Sequence, residues 1–97
     1  MKFSVGHLPV GSLPDFVSLA RCAEKLDFDT FFIADHATKQ NPYAMLSVAA
    51  LKTKRISLAT GVTNPFSRNP LLTAAAISTI DSISDGRAIL GIGAGGH

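Results

Sequence analysis

Short apolar runs recur along the chain at intervals of roughly thirty residues, the spacing of β/α units in parallel sheets. They cover residues 2–6, 30–34, 56–61 and 87–92. These runs are too short for helices, whereas the segments between them carry apolar residues at helical spacing. A parallel sheet produces this alternation, because each crossover helix returns the chain to the same end of the sheet. The order predicts an α/β fold of about four parallel strands and three helices.

The predicted helices begin at residues that cap helix N-termini. Ser12 opens the segment SLPD, a capping-box pattern with proline in the first turn. Asn41-Pro42 and Asn69-Pro70 each place a capping asparagine before a proline at the first helical position. We expect the second helix to reach about residue 53. The third helix is expected to bury an apolar stripe formed by Leu72, Ala76, Ile80 and Ile83.

Both a (β/α)8 barrel and a doubly wound sheet are compatible with this order of elements. A barrel needs about 250 residues, and the chain has 97. The fourth strand has no covering helix after it, which would leave apolar surface and a sheet edge exposed. We therefore expect residues 1–97 to be a single N-terminal fragment of a larger barrel domain. Self-association, or a partner that completes the barrel, would cover the edge. The alternative is a self-sufficient three-layer domain.

Composition excludes several classes of function. The chain is 46% hydrophobic with a net charge of +2, and its basic cluster at Lys52, Lys54 and Arg55 has no interleaved aromatic residues. Nucleic-acid binding is therefore not expected. No apolar run approaches the ~18 residues of a membrane span. The single cysteine, Cys22, suits a reducing cytoplasm and is interpreted as a small core or near-core residue of the first helix rather than a nucleophile.

In parallel α/β folds the ligand binds beyond the carboxyl ends of the strands, so the loops after the strands are the candidate sites. Asp35 and His36 follow the second strand. A partly desolvated carboxylate beside an imidazole can exchange a proton near neutral pH. The competing interpretation is that Asp35 caps a turn and His36 is solvated.

The loop after the third strand reads GVTNP. Gly61 lacks a Cβ and would allow a flat ligand to approach the backbone, while Thr63 and Asn64 offer short hydrogen-bonding side chains. A tight turn that only leads the chain out of the sheet is equally compatible with these residues.

The segment GIGAGGH follows the fourth strand and contains several glycines. A dinucleotide fingerprint requires a first strand before it and a helix after it, whereas this segment follows the fourth strand. The loop after the first strand, GHLPVGS, does not supply G-x-G-x-x-G, so a dinucleotide-binding module ranks last. A glycine-lined strand end that admits a phosphate or a ring remains possible, as does a flexible tail. His7, His36 and His97 all fall near loop ends, but no supporting carboxylate spacing favours a metal site.

Three segments together resemble a known family. They are MKFSVGHLP, FDTFFIADH and ISLATGVTNPFSRNPLLTAAAISTIDSISDGRAILGIGAGG. They are similar to the bacterial-luciferase-like superfamily of flavin- or deazaflavin-dependent oxidoreductases, nearest to the branch around methylenetetrahydromethanopterin reductase. The resemblance implies the N-terminal units of a TIM-like (β/α)8 barrel, with FMN or a deazaflavin coenzyme as cofactor and a small-molecule substrate.

The resemblance also implies roles for individual residues. It places Asp35 and His36 near the deazaflavin ring, with His36 in proton transfer or in polarising the ring. It implies a non-prolyl cis peptide at Gly61-Val62 that supports the ring from behind. Thr63 and Asn64 would line the pocket, and the glycines after the fourth strand would border the cofactor, namely Gly93, Gly95 and Gly96.

One departure from the methanopterin reductases concerns the first strand. They usually carry a glutamate where this chain has Gly6, followed by His7. The departure moves the expectation from methanopterin toward a broader flavin-dependent reductase or monooxygenase. The alternative function is a catalytically incomplete fragment that binds cofactor weakly or acts as an assembly module.

Overall fold

Strands and helices alternate regularly in a computed structural model of the protein, which describes residues 2–7, 11–36 and 40–93. The elements in chain order are β1 (Ser4–His7), α1 (Leu13–Lys25), β2 (Thr30–Ile33), α2 (Pro42–Lys52), β3 (Ser57–Thr60), α3 (Pro70–Ile83) and β4 (Ala88–Ile89). The predicted order of four strands and three helices is confirmed. Each strand is shorter than the apolar run that predicted it.

The sheet is parallel throughout, with its strands in the order β1-β2-β3-β4. Ser4 pairs with Thr30, Thr30 with Ser57, and Leu58 with Ala88. Because each strand lies beside its predecessor and such crossovers are right-handed, α1, α2 and α3 cover the same face of the sheet. The other face carries no helix from the described part of the chain.

The core lies between the three helices and the sheet face that they cover. Its completely buried apolar side chains come from every helix and from the two central strands, and they include Phe16, Phe31, Ile33, Leu46 and Leu58. Phe31 and Ile33 alternate with Phe32 along β2, so Phe32 points to the open face. The described residues bury only this face, although the apolar runs are nearly continuous in sequence, a pattern typical of strands buried on both faces.

The capping residues begin the helices where the sequence predicts. The Ser12 hydroxyl accepts a hydrogen bond from the backbone N–H of Asp15 at 3.1 Å. The Asn41 side chain accepts from Tyr43 N at 2.9 Å, and Asn69 accepts from Leu71 N at 2.8 Å. Each cap pairs a donor that the first turn leaves free.

Two predictions about helix faces are wrong. In α3, Ile80 is buried, but Leu72 is 69% exposed and Ile83 is 38% exposed. The helix instead turns Thr73 inward together with Ile80. Cys22 is exposed rather than part of the core.

Glu24 at the end of α1 holds the turn that leads into β3. Its carboxylate accepts hydrogen bonds from the backbone N–H groups of Lys54, Arg55 and Ile56 at 2.9, 2.7 and 2.9 Å. Burial acts to raise the pKa of Glu24, but the three backbone donors and the Arg55 charge outweigh it and hold that pKa below its ordinary value. The ionised side chain thus fixes where β3 begins.

Arg87 ties the start of β4 to the end of α2. Its guanidinium donates to the carbonyl oxygens of Ala50, Thr53, Ile56 and Ser84 and to the Thr53 hydroxyl, at 2.7–3.0 Å. All five of its N–H donors are used, which matches the fixed fork of a guanidinium. A cation on the last carbonyls of a helix also suits the helix dipole.

Within the described residues, no helix has both the length and the apolar character that crossing a membrane requires.

Candidate active site at the strand ends

The carboxyl ends of β2, β3 and β4 are joined by backbone hydrogen bonds beyond the last strand residues. Asp35 N donates to Val62 O at 3.4 Å, Thr63 N donates to Gly91 O at 2.9 Å, and Gly93 N donates to Thr63 O at 2.9 Å. The structure therefore brings the predicted residues of three separate loops to one edge of the sheet. This is the edge at which parallel α/β folds bind their ligands.

Asp35 lies at the centre of a buried polar network. Its Oδ2 accepts hydrogen bonds from the Thr63 hydroxyl and from Arg68 Nε, both at 2.6 Å, and its Oδ1 accepts from Arg68 Nη2 at 2.9 Å. The Asp35 side chain is only 1% exposed, against 22% for Arg68. The pair is bidentate, which fixes both side chains and ties the end of β2 to the loop before α3.

The network keeps Asp35 ionised. Burial is the largest single influence and acts to raise the pKa of Asp35, but the hydrogen bonds from Arg68 and Thr63, the Arg68 charge and the nearby His36 together hold that pKa below its ordinary value. The same contact raises the pKa of Arg68. With both carboxylate oxygens occupied, Asp35 is suited to hold a fixed charge and a fixed position rather than to exchange a proton.

The sequence prediction did not include Arg68. The segment NPFSRNP contains one charged residue between β3 and α3. The sequence does show Arg68 as a single cation in a loop at the same sheet edge as Asp35, which could have suggested an ion pair. Pairing could not be deduced from it, because the two residues are 33 positions apart.

Thr63 and Asn64 use their side-chain oxygen atoms within the protein. Thr63 is 1% exposed and donates its hydroxyl proton to Asp35. The Asn64 side chain accepts from the backbone N–H groups of Phe66 and Ser67 at 2.9 and 2.8 Å, which closes the turn. Both residues thus shape the strand end, and their direct contact with a cofactor stays a prediction.

The peptide bond between Gly61 and Val62 is cis, at the position that the resemblance implied. Val62 is 48% exposed. A Cβ built on Gly93 would lie 3.2 Å from Val62 Cγ2, so the neighbouring strand end is free of side chains where Val62 needs space. The result is an apolar, nearly bare surface that fits the face of a planar ring.

Gly61 serves a different neighbour from the one expected. A Cβ built on Gly61 would lie 2.5 Å from Cδ2 of Phe32. The missing side chain therefore makes room for this aromatic ring, and a ligand would reach the strand here over Phe32 rather than over bare backbone. Phe32 was not among the predicted site residues.

The histidines lie in different environments. His36 is exposed and directly follows Asp35. His7 packs its ring against Phe16, with centroids 5.4 Å apart, and its buried Nδ1 has no hydrogen-bond partner among the residues that the structure describes. Over residues 2–7, 11–36 and 40–93, no group of three or more His, Cys, Asp or Glu residues could hold a metal ion. Gly95, Gly96 and His97 lie outside the described residues.

A separate cleft of about 380 Å³ opens between the beginnings of α2 and α3. Its lining includes Asn41, Tyr43, Arg68, Asn69 and Leu72, and none of the predicted site residues is among the lining side chains. Arg68 reaches both places, because its guanidinium carbon lies 5.4 Å from the centre of the Tyr43 ring. The cleft lies on the helix side of the Asp35 network.

This chain is similar in sequence and structure to part of several known enzymes. A 5,10-methylenetetrahydromethanopterin reductase of Archaeoglobus fulgidus is 47% identical over 95 residues, which are 98% of this chain and 29% of the relative. The structure of the coenzyme F420 dependent tetrahydromethanopterin reductase from Methanopyrus kandleri superposes with a TM-score of 0.95 at 39% identity, covering 98% of this chain and 27% of that one.

A more distant match binds a different cofactor. The oxygenating constituent of 3,6-diketocamphane monooxygenase from Pseudomonas putida, a type II Baeyer-Villiger monooxygenase solved in complex with FMN, superposes with a TM-score of 0.86 at 27% identity. The match covers 100% of this chain and 30% of that protein. The relatives thus include proteins described with coenzyme F420 and with FMN, the two cofactor types that the sequence predicted.

The matches confirm the predicted fold class, the N-terminal β/α units of a TIM-like (β/α)8 barrel. The chain spans less than a third of the length of these relatives. A family model described as luciferase-like monooxygenase matches residues 1–97, the whole of this sequence. The chain belongs to the luciferase-like monooxygenase family.

Proposed function

We propose that the chain forms the N-terminal, coenzyme-facing part of an oxidoreductase that uses a reduced deazaflavin or flavin on a small organic substrate. The observation that carries this proposal is the buried network of Asp35, Thr63 and Arg68. It ties the end of β2 to the end of β3 and to the loop before α3, and it leaves Val62 and His36 exposed beside it. Buried ionised networks at the ligand-binding edge of such a fold are typical of sites that must hold a rigid geometry.

When bound, the coenzyme supplies the hydride or reacts with oxygen, and the protein supplies positioning and electrostatics. Val62 and the glycines beside it offer the apolar surface on which the ring would lie. Asp35 and Arg68 keep that surface in place. The exposed imidazole of His36 would lie beside the ring, where it could polarise the ring or transfer a proton.

The deazaflavin is the first candidate for the coenzyme. The F420-dependent structure is 39% identical to this chain, whereas the FMN complex is 27% identical. Hydride transfer to an organic substrate follows from a deazaflavin, and oxygenation would follow from FMN.

A second candidate is a module that binds coenzyme or assembles with another chain without turnover. Ile89, Leu90 and Ile92 around β4 are 45%, 39% and 55% exposed, so the last strand of the described sheet has an apolar surface to cover. Apolar surface of this kind is a feature of interfaces. Under this candidate, binding would persist while reduction of any substrate was absent.

A fluorescence titration of the purified protein with the deazaflavin coenzyme and with FMN tests the proposal. We expect saturable binding, tighter for the deazaflavin, that weakens in His36→Ala. A His7→Ala variant is the matched control, because His7 points toward α1. Failure of both coenzymes to bind would refute the proposal. Equal loss in the two histidine variants would refute the role of His36.

A further inference from the structure

Phe32 lies in the middle of the open sheet face near the strand ends, in the same row as Ile89 of β4. It pairs in register with Gly6 on one side and with Ala59 on the other. Gly61 follows two residues after Ala59. Phe31 and Phe32 are adjacent in β2 and so point to opposite faces of the sheet. The helices bury Phe31, whereas Phe32 is half-buried on the open face.

The two glycines act as seats for this ring. A Cβ built on Gly6 would lie 2.3 Å from Cε2 and 2.4 Å from Cζ of Phe32. A Cβ built on Gly61 would lie 2.5 Å from Cδ2. Since real Cβ contacts do not come this close, neither position tolerates a side chain while the ring stays where it is. Gly6 in β1 and Gly61 just after β3 thus leave the space that the ring occupies on its two sides.

The chemical character of this surface is specific. Gly6, Phe32 and Ala59 present no charge and no hydrogen-bonding side chain across three strands. The ring lies three residues before Asp35, at the same end of β2. An aromatic face without charge favours a planar conjugated partner, which it binds in offset or edge-to-face geometry.

We propose that Phe32 is a coenzyme-binding residue that forms the aromatic floor of the strand-end site, and that Gly6 and Gly61 position it. The ligand is the planar ring system of the deazaflavin or flavin coenzyme, so the inference rests on the proposed function. The floor lies on the open face, next to the surface formed by Val62. A ring bound at the strand ends would meet Phe32 from the sheet side.

The experiment compares coenzyme dissociation constants of the wild type, Phe32→Leu and Phe3→Leu by fluorescence titration. Leucine keeps an apolar side chain but loses the plane, so affinity is expected to fall about threefold to tenfold. Phe3→Leu is the matched control. Phe3 precedes β1 at the opposite end of the sheet, where it contacts Phe28, and its loss should leave affinity unchanged.

A Gly6→Ala variant tests whether Gly6 positions the Phe32 ring, and it separates effects on binding from effects on folding. Its methyl group would displace the ring, so affinity should fall in the wild-type background and much less in the Phe32→Leu background. Urea unfolding midpoints of the same variants report stability. A merely structural ring would lower the midpoint and leave the affinity of the folded protein unchanged.

The outcomes are distinct. Binding by the wild type with unchanged affinity in Phe32→Leu would overturn the inference and leave the proposed function standing. Absence of binding by the wild type would overturn the proposed function and the inference with it. Should Phe32→Leu fail to fold, unchanged affinity in Gly6→Ala would overturn the inference.

Discussion

Removal of Arg68 should reverse the way in which Asp35 makes the free energy of unfolding depend on pH. In Arg68→Met the apolar stem is kept, but the Asp35 carboxylate loses its two hydrogen bonds from the guanidinium. Asp35 is 1% exposed, so water cannot replace them. Breaking a buried ion pair by deleting one partner costs about 3–5 kcal/mol.

The sign of the pH effect follows from the two protonation states of Asp35. In the wild type the pKa of Asp35 is lowered on folding, so its stabilising contribution is complete at neutral pH and is lost as the pH falls through the carboxyl range. Without Arg68, burial is opposed mainly by Thr63, and the pKa should rise above the unfolded value of about 3.9. The variant then gains stability, relative to the wild type, as the pH falls.

Urea unfolding at pH 7 and at pH 3.5 measures both effects. We expect a loss of about 4 kcal/mol at pH 7, equivalent to a midpoint shift of about 2 M for a slope of about 2 kcal/mol/M. At pH 3.5 most of the difference should disappear. The double variant Asp35→Asn with Arg68→Met removes the charge and should recover a large part of the loss at pH 7.

An exposed ion pair supplies the matched control. Asp27 pairs with Arg55 at 2.7 Å, but the two side chains are 86% and 59% exposed. Asp27 has a positive φ of 62°, which asparagine also adopts, so Asp27→Asn should cost less than about 1 kcal/mol. If Arg68→Met cost no more than this control, or if its deficit grew on acidification, the reasoning about the buried carboxylate would be refuted.

Three further substitutions test the anchors of the sheet by the same unfolding assay. Arg87→Met loses five hydrogen bonds to carbonyl and hydroxyl oxygens and should cost about 3–5 kcal/mol at pH 7. Glu24→Gln loses the ionised acceptor of three backbone N–H groups. The substitution should cost about 1–2 kcal/mol at neutral pH. It should also weaken the fall in unfolding free energy at acid pH, because the lowered pKa of Glu24 means that its stabilising contribution is lost as the pH falls. Gly91→Ala would bring a Cβ within 2.1 Å of the Thr60 carbonyl oxygen and should cost about 3 kcal/mol. A change below about 0.5 kcal/mol in any of these variants would contradict the contact on which it depends.

The order of elements and the helix starts could be predicted because they depend on local chemistry. Apolar runs of strand length mark β2 and β3, and Asn41 and Asn69 cap the helices that follow. The orientation of α3 could not be predicted in the same way. Leu72 is apolar and at helical spacing, yet the packing of the whole helix leaves it exposed.

The candidate site was predicted at the level of strand ends rather than of side-chain partners. Asp35 was found because a carboxylate directly after a buried strand is partly desolvated and can serve in acid–base chemistry. Its partner Arg68 and the role of Thr63 depend on contacts between residues that are distant in sequence. Phe32 was read only as part of an apolar run, since its seat consists of two glycines on other strands.

The sequential order of the strands has a consequence for how the protein acquires its structure. Ser4 pairs with Thr30, Thr30 with Ser57, and Leu58 with Ala88, so every pairing joins neighbouring units. Each pairing therefore closes a chain loop of similar length and similar entropic cost. A chain emerging from the ribosome can add one unit at a time to a sheet already formed, because no strand has to wait for a distant one.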